Sequence, residues 1–182
     1  AYGNEYKNNE RGYDFLLLHE MAHEWWGNYL SVSDWSDFWI HEGFSVYSEA
    51  LFIEEKFGFD EYNSFFKKNL LKKIPQYKPI VLDRNATMKQ VAGLDPYYKG
   101  AFVLHMLRYL IGDEDFFKVI KDFLHSKKKA HDNQVSTSDF IDIVHNTSGE
   151  NIDWFFEVYL YEKKYPTLIK NISHGSNHTF VE

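Results

Sequence analysis

Apolar positions along the chain fall into helix-spaced stretches separated by polar, proline or glycine breaks. Residues 1–12 (AYGNEYKNNERG) are polar and read as a loop or the remnant of an upstream strand. The stretch 13–27 (YDFLLLHEMAHEWWG) is apolar on nearly every side, which predicts a buried helix ended by Gly27-Asn28. After a turn over 31–37, a second helix is expected at 39–57, closed by Gly58. A third is expected at 61–74, capped by Asp60 and stopped by Pro75, with Lys67, Lys68, Lys72 and Lys73 on its solvated side. Residues 75–94 read mostly as loop. Four more helices are predicted. The first, 96–111, has Pro96 near its start and Gly112 past its end. In the next, 114–127, Phe116, Val119, Ile120 and Phe123 recur at helical spacing. The run 136–149 opens on a capping Ser or Thr and closes at Gly149, and 151–164 ends before Tyr165-Pro166. The tail 167–182 fits one strand entering a further domain. The fold class is therefore mainly α, with at most minor strands at the termini.

A length of 182 residues corresponds to one compact domain or one plus a small appendage. Apolar residues at 44% are ordinary for a globular chain, which excludes disorder, collagen and coiled coil. The 5 Trp, 13 Tyr and 16 Phe suit a large core and also walls that bind substrate side chains. With 0 Cys there is no disulfide or thiolate chemistry, so a metal must be held by His, Asp or Glu. The net charge of −7 is uneven: residues 1–60 carry 12 acidic and 3 basic side chains. Such a concentration suits a cation, either a metal or a protonated amine. No basic face is present, which argues against a nucleic-acid partner. No apolar run approaches the ~20 residues of a membrane-crossing helix, so no transmembrane segment is expected. Starting at Ala1 and ending in polar text, the sequence reads as an excised piece of a longer protein with other domains.

The sharpest signal is His19-Glu20-Met21-Ala22-His23, an H-E-x-x-H in the middle of the first helix. Residues at i and i+4 share a helix face, roughly 5–6 Å apart at Cβ, so both imidazoles can reach one Zn²⁺ at ~2.0–2.1 Å. Glu20 lies ~100° round the helix and can reach a water on the metal without ligating, as a general base requires. Two histidines and a glutamate in an otherwise greasy helix must be paired or ligating, because burying them unsatisfied is costly. Glu42, separated from His23 by eighteen residues, in Trp39-Ile40-His41-Glu42-Gly43-Phe44, is the candidate third ligand. A two-His, one-Glu set keeps the fourth zinc position for water. Glu49, seven residues further on, lies nearly on the same face but ~10 Å along the axis. It cannot share the metal, and belongs beside a ligand, on a pocket wall or in a surface ion pair. Tyr97 is ambiguous on spacing alone. His105, His125, His131, His145, His174 and His178 are scattered and read as packed or surface residues.

HEMAHEWWGN followed by IHEGFSVYSE resembles the gluzincin zinc aminopeptidases, the family containing aminopeptidase N and leukotriene hydrolase. The Tyr97-Tyr98-Lys99-Gly100-Ala101 run is similar to that family's Y-x-K-G-A. The resemblance covers residues 4–168 and implies the helical part of a thermolysin-like zincin catalytic domain over 1–168, with 169–182 a tail or the start of another domain. It further implies one Zn²⁺ on His19, His23 and Glu42, Glu20 as catalytic base, and Tyr97 donating a hydrogen bond to the oxyanion. The implied activity is removal of amino-terminal residues from peptides. An endopeptidase of the thermolysin type, an epoxide-opening relative and a non-catalytic peptidase-derived binding module stay open. Two departures stand out. His41 replaces the usual Asn before the zinc glutamate, and is expected to hydrogen-bond near the ligands. The family's G-x-M-E-N-type segment, whose glutamate grips the substrate amine, has no counterpart here, nor has the upstream sheet, so the chain by itself is expected to be poorly active.

Overall fold

The computed structural model describes residues 3–70, 78–92, 95–126, 133–162, 172–174 and 179–181. Among these described residues, eight helices carry the architecture: α1 (Phe15–Ala22), α2 (Trp39–Phe57), α3 (Phe59–Ser64), α4 (Met88–Val91), α5 (Tyr98–Ile111), α6 (Asp113–Leu124), α7 (Thr137–Ser148) and α8 (Asp153–Phe156). Two of them widen into π turns, α3 over Phe65–Leu70 and α8 over Glu157–Tyr161. Four two- or three-residue strands complete the set: β1 (Ser31–Val32), β2 (Gln134–Val135), β3 (Ile172–His174) and β4 (Thr179–Val181). The mainly α expectation holds. No helix among the described residues is long and apolar enough to cross a membrane.

Helix α2 is the spine. Trp39, Ile40, Ala50 and Ile53 are fully buried along it, and Phe44 packs on Phe123 of α6 and Phe140 of α7 at ring separations of 5.7 and 5.3 Å. Its start is tied down by a buried polar network. Thr137 donates its backbone N–H and hydroxyl to Asp37 Oδ1 (3.0 and 2.7 Å), and Trp39 Nε1 donates to the Thr137 hydroxyl (2.8 Å). Helix α5 crosses α2 at two glycines: a Cβ on Gly43 would lie 2.9 Å from the Gly100 Cα, so the backbones touch. Eleven residues along α2 the same pair of helices is clamped again. There Arg108, buried in α5, donates to both oxygens of Glu54 (2.6 and 3.0 Å) and to Asp113 on α6 (2.9 and 2.8 Å).

Several elements depart from the sequence expectation. The first helix ends at Ala22, with His23 as its cap, rather than at Gly27. From there the N–H groups of Asn28, Tyr29 and Leu30 bond the carbonyls five residues back, at His23, Glu24 and Trp25, so the chain stays wound but wider than an α-helix. Nor is α1 buried all round: within it only His19 and Ala22 are, while Phe15 and Met21 stay about half exposed. Asp60 sits in the first turn of α3; the cap is Gly58 at φ 88°. The expected end of that helix near Pro75 lies outside the described residues, as do Lys72, Lys73 and the 168/169 boundary. Strands are not confined to the termini, because β1 pairs in parallel with β2, Ser31 opposite Gln134 and Val32 opposite Val135. The tail holds two strands rather than one, β3 and β4 pairing antiparallel.

Candidate metal centre

Three elements meet at one point. Helix α1 presents His19, its cap presents His23, and the first turn of α2 presents Glu42. His19 Nε2 lies 3.2 Å from His23 Nε2 and 3.2 Å from Glu42 Oε2, and His23 Nε2 lies 3.5 Å from the same oxygen. A tetrahedral ion with bonds of ~2.0–2.1 Å separates its ligand atoms by roughly 3.3–3.4 Å. The three atoms therefore stand at the spacing of one tetrahedral face, and among the described residues they form the one His, Asp or Glu group of three able to hold an ion.

The outer ring nitrogens support the same arrangement. His19 Nδ1 donates to Glu49 Oε1 at 2.9 Å. His23 Nδ1 shares its proton between the Trp26 carbonyl oxygen (3.0 Å) and the Ser45 hydroxyl oxygen (3.1 Å). Both tautomers are thereby fixed with the Nε2 lone pairs turned inward, as metal-binding imidazoles require. Glu49 is buried, not part of a surface ion pair. Trp26 and Ser45 were not singled out by spacing. The signal for Ser45 was present, since it follows Glu42 by three residues and so shares its helix face.

Tyr97 caps α5, and its ring stacks on His19 with centroids 6.2 Å apart and planes at 24°. Burial, reinforced by the charge of Glu42 and its hydrogen bond to the phenol and by the charge of Glu20, pushes the Tyr97 hydroxyl up to about 12. It therefore stays protonated near neutral pH and is a donor. Glu20 is exposed on the same rim and makes no hydrogen bond or ion pair among the described residues. His41 goes elsewhere. Its Nε2 accepts the Val32 N–H at 3.1 Å, so it pins the start of α2 to β1 instead of bonding a ligand. Burial, helped by the charge of His23, pulls His41 down to about 4, which keeps it the neutral acceptor this contact needs. His105 is packed flat on Phe66 at 4.0 Å, away from this cluster, and His125 is exposed; His131 and His178 lie outside the described residues.

Burial opposes a charge on His19, but hydrogen bonds and charge from Glu42 and Glu49 outweigh it and push His19 up to about 9. Burial acts on Glu42 in the opposite sense to its two histidines, which prevail and hold it down to about 2. A divalent ion must then displace a proton from His19 at any pH below about 9. Against burial, hydrogen bonds to Glu42 and the Trp26 carbonyl also push His23 up, so it too gives up a proton in the lower part of that range. Zinc affinity of the chain is expected to climb at least about tenfold per pH unit from pH 6.5 and to level above about 9. Calorimetry in two buffers of different ionisation enthalpy should count at least about one proton released per ion at pH 7.5; release of none would refute this.

A helical scaffold that sets an H-E-x-x-H beside a glutamate from the next helix has the donor set of a zincin-type metal centre. The Peptidase family M1 domain matches residues 3–159, and the chain belongs to that family. Aminopeptidase M1-B of Oryza sativa subsp. japonica is 28% identical over 167 residues, covering 88% of this chain and 19% of that protein. A solved variant of an M1 zinc metallopeptidase from Deinococcus radiodurans, bound to a Tyr-Ser-Ala substrate, superposes with a TM-score of 0.69 at 26% identity. That match covers 88% of this chain and 35% of the other. Legionella pneumophila aminopeptidase A in complex with aspartic acid gives 0.75 at 25% identity, over 92% of this chain and 19% of that one. The chain thus spans about a fifth of the length of the curated relative it matches.

Proposed function

We propose that the protein is a zinc-dependent aminopeptidase, with His19, His23 and Glu42 as the metal ligands. The observation that carries this reading is the tetrahedral-face spacing of the three inward atoms, with both histidine tautomers fixed from behind. Zinc, when bound there, supplies a Lewis acid that polarises the scissile carbonyl and acidifies a water. Glu20 takes the water's proton and delivers it to the leaving amine nitrogen. Tyr97 donates its hydroxyl proton in a hydrogen bond to the carbonyl oxygen as that atom gains charge. Glu49, Ser45 and the Trp26 carbonyl hold the rings in orientation. Residues 1–168 form the zinc-bearing part of the catalytic domain, with 169–182 a tail or the start of a following domain.

Aminopeptidase names among the relatives support the choice of substrate end. The test uses the full-length protein, not the 182-residue chain alone, with zinc counted by elemental analysis, assayed on an aminoacyl amide with a free α-amine and on its N-acetyl form. Cleavage of the free-amine substrate alone, lost on chelation and restored by zinc, is the expected result. Cleavage of the blocked form instead would indicate an endopeptidase. Cleavage of neither, with one zinc bound, would indicate a binding module.

A further inference from the structure

Tyr97 is 39% exposed, so packing alone does not lock its ring, and the backbone at the start of α5 decides where its hydroxyl points. The first N–H groups of a helix have no partner within it and need an acceptor from outside. Tyr97 occupies the capping position of α5 but makes no capping hydrogen bond, its ring being stacked on His19. Asp95, buried two residues earlier, supplies the acceptor instead, and its Oδ1 takes the Tyr98 N–H at 2.9 Å. Burial pushes the Asp95 carboxyl up, against the N–H groups of Tyr98, Lys99 and Tyr97 and the charge of Lys99, which favour its charged form. Its Oδ2 has no hydrogen-bond partner among the described residues, so those N–H groups and Lys99 are what compensate the buried charge. Lys99 is buried too, and its ammonium donates to the Lys78 carbonyl oxygen at 2.6 Å. Burial pulls Lys99 down to about 8, with Asp95 opposing, which leaves it charged at neutral pH. Two residues beyond Lys78, Ile80 donates its N–H to the Leu160 carbonyl oxygen (2.9 Å), so Lys99 ties the first turn of α5 to an anchored segment.

We propose that Asp95 and Lys99 are positioning residues for the reaction: together they fix the first turn of α5 so that Tyr97 presents its hydroxyl beside the metal ligands. The inference rests on the aminopeptidase reading of the centre, in which Tyr97 is the oxyanion donor. A residue that turns its side chain to the chemistry cannot also cap its own helix, and the upstream carboxylate takes over that task. The hydroxyl is the atom of Tyr97 furthest from its Cα, so a small rotation of the backbone is magnified along the phenol. Loss of the Asp95 acceptor leaves the N–H groups of the first turn to water and lets that rotation occur. Loss of the Lys99 ammonium releases the same turn from the Lys78 carbonyl. Both residues act through Tyr97, and neither is a metal ligand.

The test is steady-state kinetics of the zinc-loaded full-length protein on a free-amine substrate, with Tyr97→Phe and Asp95→Ala made singly and together. Tyr97→Phe is expected to lower kcat about 10²- to 10³-fold, as loss of an oxyanion donor does. Asp95→Ala should lower kcat about 10- to 100-fold, with KM nearly unchanged and zinc still bound. Asp95→Asn, which keeps a capping acceptor, should recover most of that rate. Added to Tyr97→Phe, Asp95→Ala should cost less than about threefold more, because the group it positions is gone. Its effect on the melting temperature should be the same in both backgrounds, so that stability does not account for the coupling. If Asp95→Ala does not fold, Lys99→Met, which keeps the stem and removes the ammonium, carries the same expectations. A kcat near the parent's in the folded variant, or losses that multiply with that of Tyr97→Phe, would overturn this inference alone. A Tyr97→Phe protein with normal kcat would overturn the oxyanion role and this inference with it.

Discussion

Glu20→Gln is expected to lower kcat by about 10²- to 10⁴-fold while one zinc stays bound per chain, the range over which a positioned proton carrier acts. The amide keeps the shape of the carboxylate but cannot accept and return a proton. Little else should change. Glu20 is exposed and makes no hydrogen bond or ion pair among the described residues, so neither packing nor metal binding depends on it. The neighbouring candidate for proton transfer, Tyr97, is held protonated by burial and by the negative charges of Glu42 and Glu20. It can stabilise an oxyanion but is poorly suited to take a proton from water. A different signature is expected for His23→Ala, which removes one of three ligands and should lose zinc and activity together. Steady-state rates on a free-amine substrate, paired with elemental analysis, separate the two cases. A Glu20→Gln protein with near-normal kcat, or one that no longer holds zinc, would refute the assignment.

What the sequence disclosed and what it withheld divide along physical lines. Helix spacing located α2 to the residue, because its caps are local: Trp39 follows a tight turn and Gly58 closes the other end with a positive φ. Spacing missed the end of α1, because a turn bonded five residues back presents nearly the same apolar faces as one bonded four back, and only the backbone bonds of Asn28, Tyr29 and Leu30 distinguish them. The pairing of β1 with β2 joins residues about a hundred positions apart, in two-residue strands too short to show any alternation. At the centre, His19, His23 and Glu20 follow from i, i+4 geometry, and Glu42 from the need for a ligand on a second element. Tyr97 came from the family resemblance alone, since nothing in its local pattern separates a working tyrosine from a packed one. The contact of His41 is illegible in the sequence for a related reason: its partner is the backbone N–H of Val32, a group with no sequence signature.

Gly43→Ala should damage the enzyme without touching any ligand. Helices α2 and α5 meet at Gly43 and Gly100, and the new Cβ would stand 2.9 Å from the Gly100 Cα, 3.0 Å from its carbonyl carbon and 3.1 Å from the Pro96 carbonyl oxygen. All three are backbone atoms, which cannot swing aside as a side chain can. Alanine improves helix propensity by up to ~1 kcal/mol, whereas overfilling a tight contact costs about 1–3 kcal/mol, so the balance is destabilising. The strain is not spread evenly. The far end of the same helix pair is held by Arg108 and Glu54, so the helices must part at the glycines. Glu42 directly precedes Gly43, and Tyr97 lies three residues before Gly100, so parting them carries the oxyanion donor away from the ligands. A displacement near 1 Å at reacting groups can cost about 10²-fold in rate. The expected result is therefore a lowered melting temperature together with a kcat reduced about 10²-fold, with zinc still present because all three ligands remain. Gly100→Ala, facing the Gly43 Cα at the same 2.9 Å, should reproduce both effects. If either variant instead melts at or above the parent temperature with normal kcat, the close crossing does not set the geometry of the centre.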